Sequence, residues 1–194
     1  MPALIEIKQI SKVLKGKGGD SMSKTRKLTL TSIIIAITTL TSNIVFIPVG
    51  FAKIFPVQHM ANVLTAVLLG PVYSVAQSFI VSLLRNMNGT GSIFAFPGSM
   101  IGAFLASFLF FKTKKLIWAF IGEVTGTGIL GALAAYPIAT LLLGNKVALF
   151  GFVPSFIISS LGGAIIGIVF IKILFKNKII GGIIYENSSY NRRL

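Results

Sequence analysis

Apolar residues in this chain come in long runs, and the polar residues collect at the ends of those runs. A bilayer-spanning helix needs about 20 mostly apolar residues, within a range of roughly 17–25. Runs of this kind recur from Leu28 onward. The first predicted span covers Leu28 to Ile47 and is broken by Pro48, Val49 and Gly50. Pro56 opens a second, shorter helix over Val57 to Leu69, because proline is tolerated in a first helical turn. The Gly70-Pro71 pair predicts a tight turn. A third helix follows over Val72 to Met87, and Asn88 to Ser92 form a loop. The fourth covers Pro97 to Phe111 and ends on Lys112, Lys114 and Lys115. The fifth stretch, Leu116 to Leu143, is too long for a straight span. Either a bend at Gly126, Gly128, Gly131 or Pro137, or a tilt, would accommodate it. The sixth covers Phe152 to Phe175. The expected fold is therefore an all-α membrane protein with six transmembrane helices.

The ends of the chain depart from this pattern. In residues 1–21, Leu4, Ile7, Ile10 and Leu14 fall near one helical face and Lys8, Lys12 and Lys15 on the other. A basic amphipathic helix lying on an anionic membrane surface is one reading; the other is a poorly ordered tail, or residues upstream of a true start at Met22. No cleavable leader is expected, since the first apolar run is long and lacks a small-residue cleavage site. The organisation is thus a tail over 1–21, a membrane domain over 22–178, and a cytoplasmic tail over 179–194.

Composition agrees with the pattern. Of the 194 residues, 54% are hydrophobic and 11% charged, too little charge to cover a soluble domain of this size. No cysteine is present, so disulfides, thiol catalysis and cysteine-ligated metals are excluded. The net charge of +14 changes the picture more. It does not point to nucleic acid, because the basic residues sit at the ends of apolar runs. With six spans, ends on one side carry Lys24, Arg26, Lys27, Lys112, Lys114, Lys115, Lys172, Lys176 and Lys178. The other side carries Lys53, Arg85 and Lys146. The positive-inside rule then places both termini in the cytoplasm of a cell-membrane protein.

Polar side chains within apolar helices are costly and mark function or helix pairing. The densest group runs from Lys53 to Asn62. Gln58 and Asn62 lie four apart and His59 and Asn62 three apart, so they share a helical face. Amides, an imidazole and a lysine beside apolar walls suit a small polar heterocycle; interhelical hydrogen bonding is the plain alternative for each residue alone. Arg85 and Asn86 end the third helix on the same side, with Gln77 two turns below. Arg85 orients a polar ligand in one reading and snorkels to the interface in the other. Phe94 and Phe96 in the next loop either cover a ring or act as interface aromatics. Glu123 is the only acidic residue within the spans. It should be protonated or paired, with Gln77 or a basic partner, or else serve proton coupling. Tyr136 either offers its hydroxyl to the pocket or anchors at the interface.

His59 is the only histidine, and no cluster of metal ligands accompanies it in sequence, so no metal is expected. No Walker A or dinucleotide motif is present, so any ATP would be used by another chain. Small residues let helices approach closely: Ser32 and Ala36 in the first span, and Gly162, Gly163 and Gly167 in the sixth.

Several segments together resemble the ThiW family. They are Pro48 to Lys53, Phe55-Pro56-Val57-Gln58-His59, Asn62-Val63-Leu64, Leu69-Gly70-Pro71, Leu83-Leu84-Arg85-Asn86, and Ala95-Phe96-Pro97-Gly98-Ser99-Met100. The resemblance covers about Leu28 to Phe175. It implies a substrate-binding S component of an energy-coupling factor (ECF) transporter, not an enzyme. The implied substrate is hydroxyethylthiazole, the thiazole precursor of thiamin, held near the outer face under the loop between the first two helices. The implied partners are a transmembrane coupling subunit and a pair of cytoplasmic ATPases. Small first-helix residues, often Ala-xxx-Ala in such components, meet the coupling subunit; here the pair is Ser32 and Ala36. Three alternatives stand beside this reading. They are an S component for another ligand such as a pyrimidine, a small membrane enzyme using His59 with Glu123 or Arg85, and a proton-coupled carrier using Glu123. The enzyme reading requires His59 and its partner to lie within hydrogen-bond reach.

Overall fold

The computed structural model describes residues 22–42, 44–49, 52–144 and 149–176. The expected tails over 1–21 and 179–194, and Lys146 and Lys178, lie outside the described residues. Lys53 is described only by its backbone.

Six helices form among the described residues: α1 (Lys24–Ser42), α2 (Pro56–Leu68), α3 (Pro71–Met87), α4 (Ala95–Thr113), α5 (Leu116–Leu142) and α6 (Val153–Lys176). Three of them, α4, α5 and α6, are long and apolar enough to cross a membrane. At 1.5 Å per residue the 13 residues of α2 reach only about 20 Å.

The first helix ends earlier than the apolar run predicts. It stops at Ser42, and Ile47–Val49 (β1) pairs antiparallel with Ala52–Ile54 (β2), Pro48 opposite Lys53. Proline disfavours helical backbone in the residue before it, and the β-branched Ile44, Val45 and Ile47 suit extended structure. Hydropathy alone does not register this switch. Within α1, the Thr29, Thr31 and Thr41 hydroxyls donate to carbonyls four residues back, which lets a threonine-rich helix sit in apolar surroundings.

The interior is rich in small and polar residues beside an apolar cluster of Val63, Leu64 and Ile171, and the exterior carries many large apolar ones. Ala103, Ala106, Ala119, Ala132 and Ala164 are fully buried, together with Gln58, Asn62, Gln77, Arg85 and Glu123. Leu40, Leu141, Phe150 and Ile173 face outward. A water-soluble core has the reverse arrangement; lipid accepts an apolar exterior, and most buried polar atoms of the described residues find partners inside, with Arg85 Nε and Glu123 Oε2 among the exceptions.

Helix α2 lies at the centre, packed against α6, α4, α3, α5 and α1. Glycines set the closest approaches. A Cβ on Gly131 would fall 2.4 Å from the Gly98 Cα, and one on Gly126 would fall 2.8 Å from the Gly102 Cα. So α4 and α5 meet backbone to backbone. The five-residue interval between Gly126 and Gly131 would put them on different faces of an α-helix. Here the helix widens into π-type turns with i→i+5 hydrogen bonds over Gly126–Gly131, and the wider turn brings Gly131 round toward the side of Gly126. A second π segment, Ile138–Leu142, follows Pro137, which lacks an N–H for the α-helical ladder. On α6, Gly163 and Gly167 press against α2, whereas Gly162 meets open space. The Gly70-Pro71 turn has φ 92° at Gly70, a conformation that favours glycine.

Candidate functional site

The up-and-down course of the chain brings the starts of α2, α4 and α6 and the end of α3 to one end of the bundle. There they surround a cavity of about 420 Å³, within the usual range of about 300–1,000 Å³ for small-molecule sites. Its walls carry two kinds of group. Phe55, Phe94, Phe152 and Phe156 supply aromatic surface, with Phe94 and Phe152 in contact at 4.8 Å between centroids. Gln58, His59, Arg85, Thr90, Ser99, Thr127 and Ser159 supply polar groups. The hairpin between α1 and α2 leads into this site, and the Phe55 amide donates to Ser159 Oγ on α6 at 3.1 Å.

Arg85 does not snorkel. It is 2% exposed, its Nη1 donates to Gln58 Oε1, and its Nη2 donates to the Thr90 carbonyl at 3.1 Å. Its guanidinium lies 3.8 Å over the Phe55 ring, a cation–π contact. Arg85 therefore ties α2 to the loop after α3. Its Nε has no partner among the described residues. Asn86 secures the same loop, donating to the Ser82 and Ser92 carbonyls at 2.7 and 3.0 Å.

A second polar group lies immediately behind the cavity. His59 Nδ1 is 2.8 Å from Glu123 Oε1 on α5. Asn62 Nδ2 and Thr127 Oγ1 approach the same oxygen, each at 3.0 Å. Glu123 is fully buried, and its Oε2 has no partner among the described residues. The expected basic partner is thus His59. Gln77 plays no such part: its Oε1 accepts from Thr65 Oγ1 at 3.2 Å. The two polar groups join into one network. Gln58 Nε2 donates to Ser82 Oγ at 2.9 Å, Ser82 and Ser99 share a hydrogen bond at 3.0 Å, and Asn62 Nδ2 reaches the Ser99 carbonyl at 3.2 Å.

Of the residues singled out in the sequence, Gln58, His59 and Arg85 line the cavity. Asn62 and Glu123 stand behind His59, and Asn86 braces the loop. Tyr136 is half-buried and not among the lining residues, nor is Phe96, which packs on Phe79 at 5.6 Å. Lys53 sits in β2, and its side chain lies outside the described ones. Ser32 and Ala36 are exposed along α1 with Ile33, Ile37 and Leu40. Sequence reasoning missed Thr127, Ser99, Ser159 and the aromatics Phe152 and Phe156. Serine and threonine are too common in apolar helices to stand out, and a phenylalanine gives no sign of facing a cavity. Thr127 does leave one trace in the sequence: it lies four residues after Glu123, the spacing that shares a helical face.

Among the described residues no three His, Cys, Asp or Glu side chains gather as a metal site would need. The arrangement fits capture of a small polar ring: aromatic walls with a buried cation and amide, hydroxyl and imidazole groups, the polar groups together drawn from five helices.

A family model for thiamine-precursor transporter proteins (ThiW) matches residues 28–177. No curated protein and no solved structure matches the chain. The matched segment spans all six helices but for the first four residues of α1, and contains every residue of the cavity. The chain belongs to the ThiW family of thiamine-precursor transporters.

Proposed function

We propose that this protein is the substrate-binding S component of an ECF transporter and captures hydroxyethylthiazole from outside the cell. The observation that carries the reading is the cavity of about 420 Å³ between Gln58, His59, Arg85 and the phenylalanines. A neutral thiazole with a short hydroxyethyl arm needs apolar faces for its ring and a few donors and acceptors for its nitrogen and hydroxyl. This cavity offers both kinds of surface. In this reading all six helices cross the bilayer, the short α2 shielded at the centre, and both termini are cytoplasmic as the lysine distribution favours. The cavity then opens outward. Ser32 and Ala36 face outward from the bundle on α1, where the coupling subunit would dock. That subunit and two ATPases would supply the energy.

Calorimetric titration of the purified protein tests the ligand. Hydroxyethylthiazole should give a saturable isotherm, and the aminopyrimidine precursor none. The reverse result would assign the protein to another precursor. His59→Ala and Asn62→Ala should each weaken thiazole binding by about 1–3 kcal/mol, His59 by contact and Asn62 through Glu123.

One observation supports a second reading. The His59–Glu123 distance meets the geometric requirement for a general base oriented by a carboxylate. Unaltered hydroxyethylthiazole recovered after prolonged incubation with the protein would argue against this enzyme reading, and chemical conversion would establish it.

A further inference from the structure

We propose that Glu123 is a positioning residue that locks His59 with its proton on Nδ1, so that Nε2 faces the cavity as a bare hydrogen-bond acceptor for a hydroxyl of the ligand. The inference deepens the thiazole reading and rests on it only for the identity of the ligand.

The argument begins at Glu123 Oε1. His59 Nδ1 at 2.8 Å and Asn62 Nδ2 at 3.0 Å converge on that one oxygen, and Thr127 Oγ1 lies 3.0 Å from it, its single proton shared between that oxygen and the Gly98 carbonyl at 3.1 Å. The Asn62 amide nitrogen can only donate. A carboxylate oxygen accepts several such bonds, whereas the hydroxyl oxygen of a protonated acid is a poor acceptor. Oε1 is therefore read as the acceptor toward all its neighbours, which makes Nδ1 the donor. The hydrogen bond at one ring nitrogen then decides what the other presents.

Charge sets the rest. Glu123 is the only acidic residue in 22–178, and Arg85 is the buried cation of the cavity. The Gln58–Ser82–Ser99–Asn62 network links the two. One carboxylate and one guanidinium balance. A doubly protonated imidazole would add a second positive charge to a poorly solvated core, at high cost. A neutral imidazole with Nδ1–H keeps the balance. Its Nε2 makes no hydrogen bond among the described residues, and the ring lines the cavity.

The polar lining then has a division of labour. Arg85 is a donor only, and His59 Nε2 is an acceptor only. A ligand hydroxyl placed on Nε2 gives its proton there. An analogue without the hydroxyl leaves that acceptor buried and unpaired, and sites built to bond a hydroxyl reject such analogues strongly.

His59 is the only histidine of the chain, so histidine labelled with ¹⁵N reports two ring nitrogens without ambiguity. Full-length protein in lipid nanodiscs at neutral pH should show a protonated Nδ1 and an unprotonated Nε2. Hydroxyethylthiazole should shift the Nε2 signal. The thiazole carrying ethyl in place of hydroxyethyl should bind about tenfold weaker or worse and leave Nε2 nearly unmoved. Glu123→Gln presents both a donor and an acceptor to Nδ1, so it should mix the tautomers and shrink the preference for the hydroxyl. A protonated Nε2 in the free wild-type protein would overturn the proposal, as would equal affinity for the two thiazoles or an unchanged tautomer in Glu123→Gln. The free-protein spectrum decides the lock even if Glu123→Gln fails to fold. If no thiazole binds while Nε2 is bare, the lock stands and the ligand assignment falls; if hydroxyethylthiazole binds to a protonated Nε2, the reverse holds.

Discussion

His59 and Glu123, 64 residues apart in sequence, meet at 2.8 Å between Nδ1 and Oε1. The contact joins the central helix α2 to α5 and sits behind the cavity wall. It gives the one acidic residue of the membrane domain its partner, and it orients the one histidine. The same contact is compatible with a general base or with a binding residue held in one orientation. Membership in a transporter family favours the second.

The pair should matter to stability as well as to binding. Removing one partner of a buried polar pair leaves the other unsatisfied, which costs about 3–5 kcal/mol when a charge is left behind. His59→Ala should therefore lower the thermal unfolding midpoint in detergent clearly. The double substitution His59→Leu with Glu123→Met should recover much of that loss while binding stays abolished. A double variant no more stable than His59→Ala would contradict this account of the pair.

Backbone contact between α4 and α5 predicts a sharp contrast among glycines. Gly131→Ala places a methyl 2.4 Å from the Gly98 Cα and should destabilise the protein by about 1–3 kcal/mol. Gly162→Ala meets nothing within 4 Å and should be neutral or slightly stabilising, since alanine favours helix. Unfolding midpoints of the two variants, measured side by side, check both. Equal effects would mean that the helices do not approach this closely.

Arg85 bridges Gln58 and the Thr90 carbonyl while stacking on Phe55. A lysine has a single ammonium and no planar face, so Arg85→Lys cannot keep all three contacts. Both Arg85→Lys and Arg85→Gln should weaken hydroxyethylthiazole binding, by about 1.5–3 kcal/mol if the guanidinium bonds the ligand. Calorimetry reads the loss directly. Wild-type affinity in Arg85→Lys would show that the bridge is dispensable.

If the protein is the S component proposed above, docking and capture should separate on α1. Ser32→Leu with Ala36→Leu enlarges an exposed face that is remote from the cavity lining. Thiazole binding to the isolated protein should be unchanged, while co-purification with the coupling subunit and uptake into cells should fall at least tenfold. Loss of binding in the isolated variant would instead place α1 in support of the pocket.

Much of the fold is legible in the sequence. Pro56 and Gly70-Pro71 predict the borders of α2 within a residue, and the predicted fifth stretch matches α5 to within one residue at its end. Proline and glycine act through local backbone geometry, so their positions can be read without knowing the fold. The exception is the end of α1, where an apolar run continues from helix into a strand. Hydropathy reports solvent preference and is blind to that change of backbone. The candidate site is legible in part. Gln58, His59 and Arg85 stand out because polar groups are expensive in apolar helices, and they line the cavity. Tyr136 satisfies the same criterion and does not.

By itself, then, the sequence determined that the chain is a bundle of apolar helices, where its turns fall, and which few polar residues need a partner. Each follows from composition and spacing over a few neighbouring residues. Tertiary structure alone decided the pairing: that His59 meets Glu123, that Arg85 is buried against Phe55, and that Asn62 reaches the same carboxylate from another helix. Those contacts depend on the rotation and depth of one helix against another. Glycines and alanines from distant parts of the chain set both through their packing, and no local pattern records which of them will touch.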